Sequence, residues 1–120
     1  MGIRAGGRRE GRGGATRREA VAAALTGLAP RLPAFEAGAA LDRALASPGL
    51  ARAAPETAAW LALTAYARHG FTDYDTLLDD GYDRDSARHF VLDDLNAVLT
   101  KWGVRRRITG EPEPDDGTNA

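Results

Sequence analysis

The feature that most constrains the fold is the segment from Pro55 to His69, which is apolar on nearly every side when it is drawn as a helix, with Trp60 and Tyr66 among its largest residues. Such a helix is stable only when neighbouring elements surround it. Pro55 suits the first turn, because proline lacks the N–H that a helix leaves unbonded there. Gly70 can adopt the left-handed conformation that ends a helix. The segment therefore predicts a helix at the centre of a small bundle, running to about His69.

Two shorter helices are predicted before the central one. The first opens with a capping box, Thr16-Arg17-Arg18-Glu19, in which a threonine cap is followed three residues later by a glutamate. Leucine and valine then recur at helical spacing until Pro30 and Pro33 interrupt the pattern. A second helix fits residues 34–46 and ends at Ser47-Pro48-Gly49.

Two further helices are predicted after the central one. Thr72 caps a short fourth helix, and Gly81 ends it. Asp83 starts a fifth helix that continues from Arg84 to Trp102, a length of about 29 Å at 1.5 Å per residue. A glycine again follows its last residue. The apolar stripe of this helix consists of Ala87, Val91, Leu95, Val98 and Trp102.

No segment shows the alternation of a β-strand, so the predicted fold class is all-α: a small orthogonal bundle of four or five helices with disordered ends. Residues 1–15 are a glycine- and arginine-rich tail, residues 16–104 are the helical domain, and residues 105–120 are a tail that is basic and then acidic. The residues expected to supply most of the core are Trp60, Leu61, Tyr66, Leu77, Val91, Leu95, Val98 and Trp102.

Composition excludes several kinds of site. The chain of 120 residues has no cysteine, so it forms neither a disulfide nor a thiolate metal site. Its two histidines are His69 and His89, and zinc would have to rely on carboxylates as well. No apolar run approaches the ~20 residues that span a bilayer, and the arginine-rich start lacks the apolar core of a signal peptide. We therefore expect a cytoplasmic protein with no metal, no cofactor and no membrane contact.

Charge is segregated along the chain, although the net charge is only −1. Residues 1–18 contain six arginines and one glutamate, whereas residues 73–94 contain eight aspartates and two arginines. The aspartates do not follow the spacing of a calcium-binding loop, because Leu77 and Leu78 occupy the middle of the run. Their position at helix starts, where the helix dipole favours negative charge, explains several of them.

The densest polar segment, residues 68–88, is the predicted site. It places a histidine, two tyrosines, three arginines and six aspartates between two apolar helical patterns. His69 and Asp75 lie six residues apart across the predicted turn, so a hydrogen bond between them is expected. Such a pair orients an imidazole for proton transfer or ties two helices together, and the tie is favoured because no nucleophile or pocket is evident. The candidate binding residues are Arg68, His69, Thr72, Tyr74, Asp75, Arg84 and Arg88.

Two groups of arginines have the chemistry to bind anions. Arg84 and Arg88 lie four residues apart on one helix and could clamp a carboxylate or phosphate, although pairing with the nearby aspartates is favoured. The arginines at positions 4, 8, 9, 12, 17, 18 and 105–107 could contact a nucleic-acid backbone. No aromatic residue lies among them for base stacking, so a solubilising role is favoured.

A longer pattern extends from the predicted site. It begins Arg68-His69-x-x-Thr72-x-Tyr74-Asp75 and continues with Leu77, Leu78, Gly81, Asp83, Arg84, Ala87 and Arg88, before a helix that ends in Leu99 and Trp102. Over roughly residues 56–103 this sequence resembles the domain of unknown function 2293 family of bacterial, archaeal and fungal proteins. The resemblance implies a small helical domain with no established activity. It marks residues to test and implies neither a reaction nor a ligand.

Three functions remain open on the sequence. The favoured one is a non-catalytic interaction module that binds another protein, or a nucleic-acid backbone, through residues 68–88. The alternative is an enzyme acting on phosphate or acyl groups, with His69 as the general base oriented by Asp75. The anion binders of that enzyme would be Tyr74, Arg84 and Arg88. The third is a purely structural or oligomerising domain.

Overall fold

The computed structural model describes residues 16–109, and in that part of the chain it contains six α-helices, one short 3₁₀ helix and no strand. The all-α prediction is therefore confirmed. Residues 1–15, predicted to be disordered, lie outside the described residues, as do residues 110–120. The 3₁₀ helix spans Pro48–Leu50. The α-helices are α1 (Arg17–Leu28), α2 (Ala34–Ala46), α3 (Pro55–Phe71), α4 (Tyr74–Asp79), α5 (Arg84–Phe90) and α6 (Leu92–Lys101).

The first two helices begin and end as their sequence signals predict. The Thr16 hydroxyl accepts a hydrogen bond from the Glu19 N–H (3.1 Å), and the Glu19 carboxylate accepts one from the Thr16 N–H (2.9 Å), which completes the capping box. α1 ends two residues before Pro30, and α2 has the predicted bounds. The loop between them is held by the end of α6, because the Arg31 N–H donates to the Trp102 carbonyl (2.9 Å).

α3 is the central helix, as predicted, and it packs against α1, α2, α4 and α6. Four of its buried residues are alanines, whose small side chains let the neighbouring helices approach closely. The larger side chains then fill the space between the helices. The buried residues of α3 are Ala58, Ala59, Trp60, Ala62, Leu63, Thr64, Ala67 and Arg68.

α3 extends two residues past its predicted end, and the prediction that Gly70 ends it in a left-handed conformation is wrong. In residues 16–109 the glycines with positive φ are Gly81 and Gly103. Thr72 ends the helix instead, because its backbone is extended (φ −137°, ψ 173°). The Thr72 hydroxyl also donates to the Arg68 carbonyl. The last carbonyls of a helix need hydrogen-bond donors. At a left-handed glycine these donors are backbone N–H groups, whereas at the end of α3 one donor is a side-chain hydroxyl.

Gly81 and Gly103 end α4 and α6, as predicted, and both do so with the same hydrogen-bond pattern. Their φ angles are 102° and 91°, values that favour glycine. After α4, the N–H groups of Gly81 and Tyr82 donate to the carbonyls of Leu78 and Leu77, respectively. The bonds after α6 follow the same spacing. This arrangement is a Schellman motif, which satisfies carbonyls that the last turn of a helix leaves unbonded.

The predicted fifth helix is in fact two helices, α5 and α6, separated at Val91. Val91 has φ −100° and ψ 6°, outside the α-helical region, and its side chain is buried. The break divides the predicted apolar stripe between two clusters. Ala87 and Val91 pack with Tyr74, whereas Leu95 and Trp102 belong to a larger core. A periodicity count cannot detect this division, because both halves of the stripe keep helical spacing.

The buried side chains form a main core and a small cluster. The main core joins α1, α2, α3 and α6 with the residues after α6. The small cluster consists of Tyr74, Ala87 and Val91, with Leu77 and Leu78 packed against it. Of the predicted core residues, four are buried and four are partly buried. The buried ones are Trp60, Val91, Leu95 and Trp102, and the partly buried ones are Leu61, Tyr66, Leu77 and Val98.

The packed chain continues beyond residue 104, where the sequence predicted the start of a disordered tail. Ile108 is buried, and the Asn96 side chain holds it by two hydrogen bonds of 2.8 Å, one donated to the Ile108 carbonyl and one accepted from the Ile108 N–H. Two residues before Ile108, the Arg106 guanidinium lies over the Trp60 ring, 4.1 Å from its centroid. The predicted end of the helical domain at residue 104 is therefore too early. The composition of the next residues is that of a tail, but the buried Asn96 side chain holds their backbone in place.

Candidate functional site

The 68–88 segment begins at the turn between α3 and α4, which Thr72 closes. The Thr72 hydroxyl oxygen accepts a hydrogen bond from the Tyr74 N–H (3.2 Å) while the hydroxyl donates to the Arg68 carbonyl. The residue in the N-cap position of α4 is Asp73, whose side chain makes no capping bond. The prediction that Thr72 caps α4 is therefore wrong by one residue. Thr72 nevertheless bonds the backbone of both helices, which fixes the turn.

His69 and Asp75 form the hydrogen bond expected across this turn. His69 Nδ1 and Asp75 Oδ1 lie 2.6 Å apart, with the two side chains 30% and 57% exposed. An ionised carboxylate only accepts, so the proton lies on Nδ1, and Nε2 of the neutral ring is then an acceptor. The His69 ring also meets the Tyr74 ring edge-on, with centroids 5.2 Å apart. These contacts join the last turn of α3 to the first turn of α4.

Tyr74 and Arg68 form the buried side of the same turn. Tyr74 is only 2% exposed, and Arg68 is also buried. The Arg68 guanidinium carbon lies 5.7 Å from the centroid of the Tyr74 ring, within the range of a cation–π contact. A guanidinium stays charged at any ordinary pH, so its burial requires interactions of this kind. Both side chains are directed into the fold and offer little area to a ligand.

α5 carries the remaining two candidates, Arg84 and Arg88. Asp83 caps this helix, as predicted, because its carboxylate accepts from the Ser86 N–H (2.8 Å). The same bond lowers the pKa of the Asp83 carboxyl below its ordinary value of 3.8. Arg84 is exposed and Arg88 is half-buried, and each makes at least one interaction.

The structure brings five of the seven candidate residues together at the turn between α3 and α4. These five are Arg68, His69, Thr72, Tyr74 and Asp75. The other two lie on α5, which packs against α4. We call the end of α3, together with α4 and α5, the corner. Most polar candidates in the corner contact one another, and the apolar cluster below them is small.

The α4–α5 part of the corner also carries two large, exposed aromatic side chains that the sequence analysis did not select. Tyr82 is 46% exposed and Phe90 is 60% exposed, and their rings meet edge to face with centroids 5.4 Å apart. The His89 ring lies beside them, 6.0 Å from the centroid of Phe90. Phe90 lies off the apolar stripe of its helix, and that is the sequence signal that could have identified it. We call Tyr82, His89 and Phe90 the aromatic face.

Carboxylates lie on both sides of the aromatic face along the chain, and all of them are exposed. Four fall between the end of α4 and the first turn of α5, and two more follow Phe90 by three and four residues. The same stretch contains two arginines, Arg84 and Arg88, so the aspartates outnumber the arginines. The surface around the aromatic face is therefore acidic. The six carboxylates are Asp79, Asp80, Asp83, Asp85, Asp93 and Asp94.

A second group of aromatic rings, Tyr66, Phe71 and Trp102, lies where α3 meets the end of α6. Phe71 contacts both of the other rings edge-on, with centroid distances of 5.7 Å to Tyr66 and 5.1 Å to Trp102. Burial raises the pKa of the Tyr66 phenol above its ordinary value of 10.0, and the charge of Glu36 adds to that effect. This group is continuous with the main core, since Trp102 is buried there.

Several arginines considered for nucleic-acid contact bind the protein itself. The Arg17 guanidinium donates to the carbonyls of Leu50 and Ala53, both at 2.7 Å. Arg18 pairs with Asp42 at 3.3 Å on the surface, and Arg106 stacks on a ring of the main core. The arginines at positions 4, 8, 9 and 12 lie outside the described residues.

Residues 16–109 contain neither a cluster of metal ligands nor a helix that could span a membrane. No three imidazole or carboxylate side chains of these residues are grouped as a metal site requires. None of the helices in this part of the chain has the length and apolar character needed to cross a membrane.

Fold and site together define a small all-α domain with one acidic, aromatic corner. The chain belongs to the family described as uncharacterized conserved protein (DUF2293), whose model matches residues 24–103. The match confirms the family resemblance. It also covers the end of α1 and all of α2, whereas the resemblance seen in the sequence began only in α3. No curated protein and no solved structure matches the chain significantly.

Proposed function

We propose that this chain is a non-catalytic interaction module that binds a partner protein through the corner. The observation that carries the proposal is the pair of exposed aromatic rings, Tyr82 and Phe90, which pack on each other at the surface. Exposed apolar area that is contiguous and rimmed by polar residues is typical of protein interaction sites. Aromatic side chains are also enriched at such interfaces.

The polar candidates support a structural role beneath this surface. His69 and Asp75 bond each other, the Thr72 hydroxyl bonds the backbone of two helices, and Arg68 lies buried against Tyr74. These contacts fix the turn between α3 and α4. A fixed turn holds α4 and α5 in place, which lowers the entropic cost of ordering this surface when a partner binds.

Site-specific photo-cross-linking tests the proposal. A photoreactive phenylalanine analogue at position 90 should give a discrete cross-linked protein in cells that express the full chain. The same analogue at position 35 is the matched control, because Phe35 is 81% exposed but lies on α2, outside the corner. Equal products at both positions, or no product at position 90, would contradict the proposal. Mass spectrometry of the cross-linked product then identifies the partner.

The His69–Asp75 bond favours a second candidate function, an enzyme in which His69 is the general base. A neutral imidazole that donates from Nδ1 to Asp75 has Nε2 available to accept a proton from a substrate, and this is what supports the candidate. Assays with a phosphate ester and an acyl ester test this function. If the chain is an interaction module, neither ester should be hydrolysed faster than in buffer alone. Turnover that disappears in both His69→Gln and Asp75→Ala would favour the enzyme instead.

A further inference from the structure

We infer that the aromatic face binds an arginine-bearing segment of the partner protein. This inference rests on the proposed function and specifies the chemistry of the partner. It follows from two separate properties of the same surface, the exposure of its rings and the sign of the charge around them.

The geometry of the rings suits a planar cation. Tyr82 and Phe90 meet edge to face at 5.4 Å, so their planes are steeply inclined and each ring keeps part of its π surface exposed. The face of an aromatic ring attracts a cation through its quadrupole. A guanidinium is planar and weakly hydrated, so it stacks on such a surface more readily than an ammonium group does. The Arg106–Trp60 contact at 4.1 Å shows this pairing within the fold itself.

The charge around the rings selects a cationic partner. The stretch from residue 79 to residue 94 contains six exposed aspartates and only two arginines, so its net charge is negative. Opposite charges across an interface speed association and exclude partners of the wrong sign. A nucleic-acid backbone has the wrong sign for this surface. A purely apolar partner would leave the carboxylates without a counter-charge.

The test is a titration of the isotopically labelled full chain, followed by NMR, with a short synthetic peptide of alternating arginine and glycine. The signals of Tyr82, His89 and Phe90 should shift together, and the affinity should fall as salt is raised. Peptides with lysine or glutamate in place of arginine should bind progressively more weakly. A single-stranded oligonucleotide should leave the three signals unchanged.

One set of variants tests the contribution of the rings to binding, and another tests the contribution of the charges. Tyr82→Leu combined with Phe90→Leu keeps an apolar surface but removes two cation–π contacts, and should weaken peptide binding about tenfold. Phe35→Leu is the matched control and should leave the affinity unchanged. Asp79→Asn with Asp80→Asn should reduce the salt dependence without unfolding α5, because neither residue caps that helix.

The possible failures are distinguishable. An arginine peptide that binds equally well to the leucine variant, or an oligonucleotide that shifts the aromatic face, would overturn the inference. If the peptide does not bind but cross-linking at position 90 succeeds, the arginine inference alone is overturned. If cross-linking at position 90 fails, the interaction surface itself is overturned.

Discussion

The main core and the small cluster of the corner are built from different interactions. The main core joins side chains from four helices, including two tryptophans, around the alanine-rich α3. The small cluster contains one tyrosine, one alanine and one valine, under helices of six and seven residues. Helices that short are not stable by themselves. The corner therefore depends on its turn bonds and caps, and it is the part of the fold that should open locally with the smallest free energy.

The largest expected effect is that of Leu63→Ala in the main core. Leu63 is fully buried, and truncating such a leucine destabilises a protein by about 3 kcal/mol. Chemical denaturation followed by circular dichroism measures the loss. Phe35→Ala is the control, because Phe35 is 81% exposed on α2 and its truncation should change stability by less than about 0.5 kcal/mol. Similar losses in both variants would mean that α3 is not the centre of the core.

Asn96→Ala should have the second largest effect, a loss of about 2 kcal/mol in the free energy of unfolding. The substitution removes both hydrogen bonds to Ile108 and leaves a buried N–H and carbonyl without a partner. Denaturation gives the free energy, and hydrogen exchange at the Ile108 amide reports the local release of the backbone. Thr100→Ala, at an exposed position on α6, is the control. An unchanged exchange rate at Ile108 would refute the role assigned to Asn96.

Val91→Ala should destabilise the corner by about 1.5 kcal/mol, since it removes two buried carbon groups of the small cluster. The loss should appear as faster hydrogen exchange in α4 and α5, while α1 and α3 keep their protection. Val98→Ala in α6 is the comparison, because Val98 packs on the main core. A uniform loss of protection in the Val91 variant would show that the corner and the bundle unfold as one unit.

Asp75→Ala should lower stability by only about 0.5 kcal/mol, because the His69–Asp75 bond is partly exposed and water replaces it. The thermal unfolding midpoint measures the change. Thr76→Ala, the exposed neighbour on the same turn, serves as the control. A loss as large as that of Asn96→Ala would mean that the exposed bond is as important as the buried one.

Asp83→Ala should have an effect similar in size to that of Asp75→Ala, because it removes the cap of α5, and this effect should depend on pH. The folded-state pKa of Asp83 is lowered by the Ser86 N–H, so the charged carboxylate stabilises the fold above pH 3.8, and this contribution is lost as the pH falls through the lowered pKa. The variant should be less stable than the wild type at neutral pH, and the difference should shrink in strong acid, where the protonated carboxyl keeps only an uncharged hydrogen bond to the Ser86 N–H. Asp85→Ala is the control, and a difference between wild type and Asp83→Ala that is as large in acid as at neutral pH would exclude the cap charge as its cause.

Much of the fold could be predicted because its signals are local. The capping box at Thr16, the bounds of α2, the glycines after α4 and α6, and the Asp83 cap each depend on a few adjacent residues. The hydrogen bond between His69 and Asp75 was expected for the same reason. The error at Gly70 is also local, because the Thr72 hydroxyl bonds the Arg68 carbonyl and α3 ends at Thr72. The errors at Val91 and after residue 104 fall where distant groups pack together.

The candidate site was only partly predictable for the same physical reason. The 68–88 segment does turn between helices, but its composition does not say which side chains face outward. Tyr74 and Arg68 are buried, whereas Tyr82 and Phe90 are exposed, and periodicity alone assigns none of these positions. Exposure is decided by the neighbours of α4 and α5 and by the break at Val91.

The sequence by itself determined the helical class, the central helix and most helix ends, because backbone hydrogen bonding at a cap or turn is satisfied within a few residues. Only the tertiary structure decided that one apolar stripe serves two clusters, that residues 104–108 pack on the bundle, and that an aromatic pair lies at the surface. Those outcomes depend on which distant groups are close enough to bury a side chain or pair a polar atom. That information lies in the packing of the whole chain and in no local segment of it.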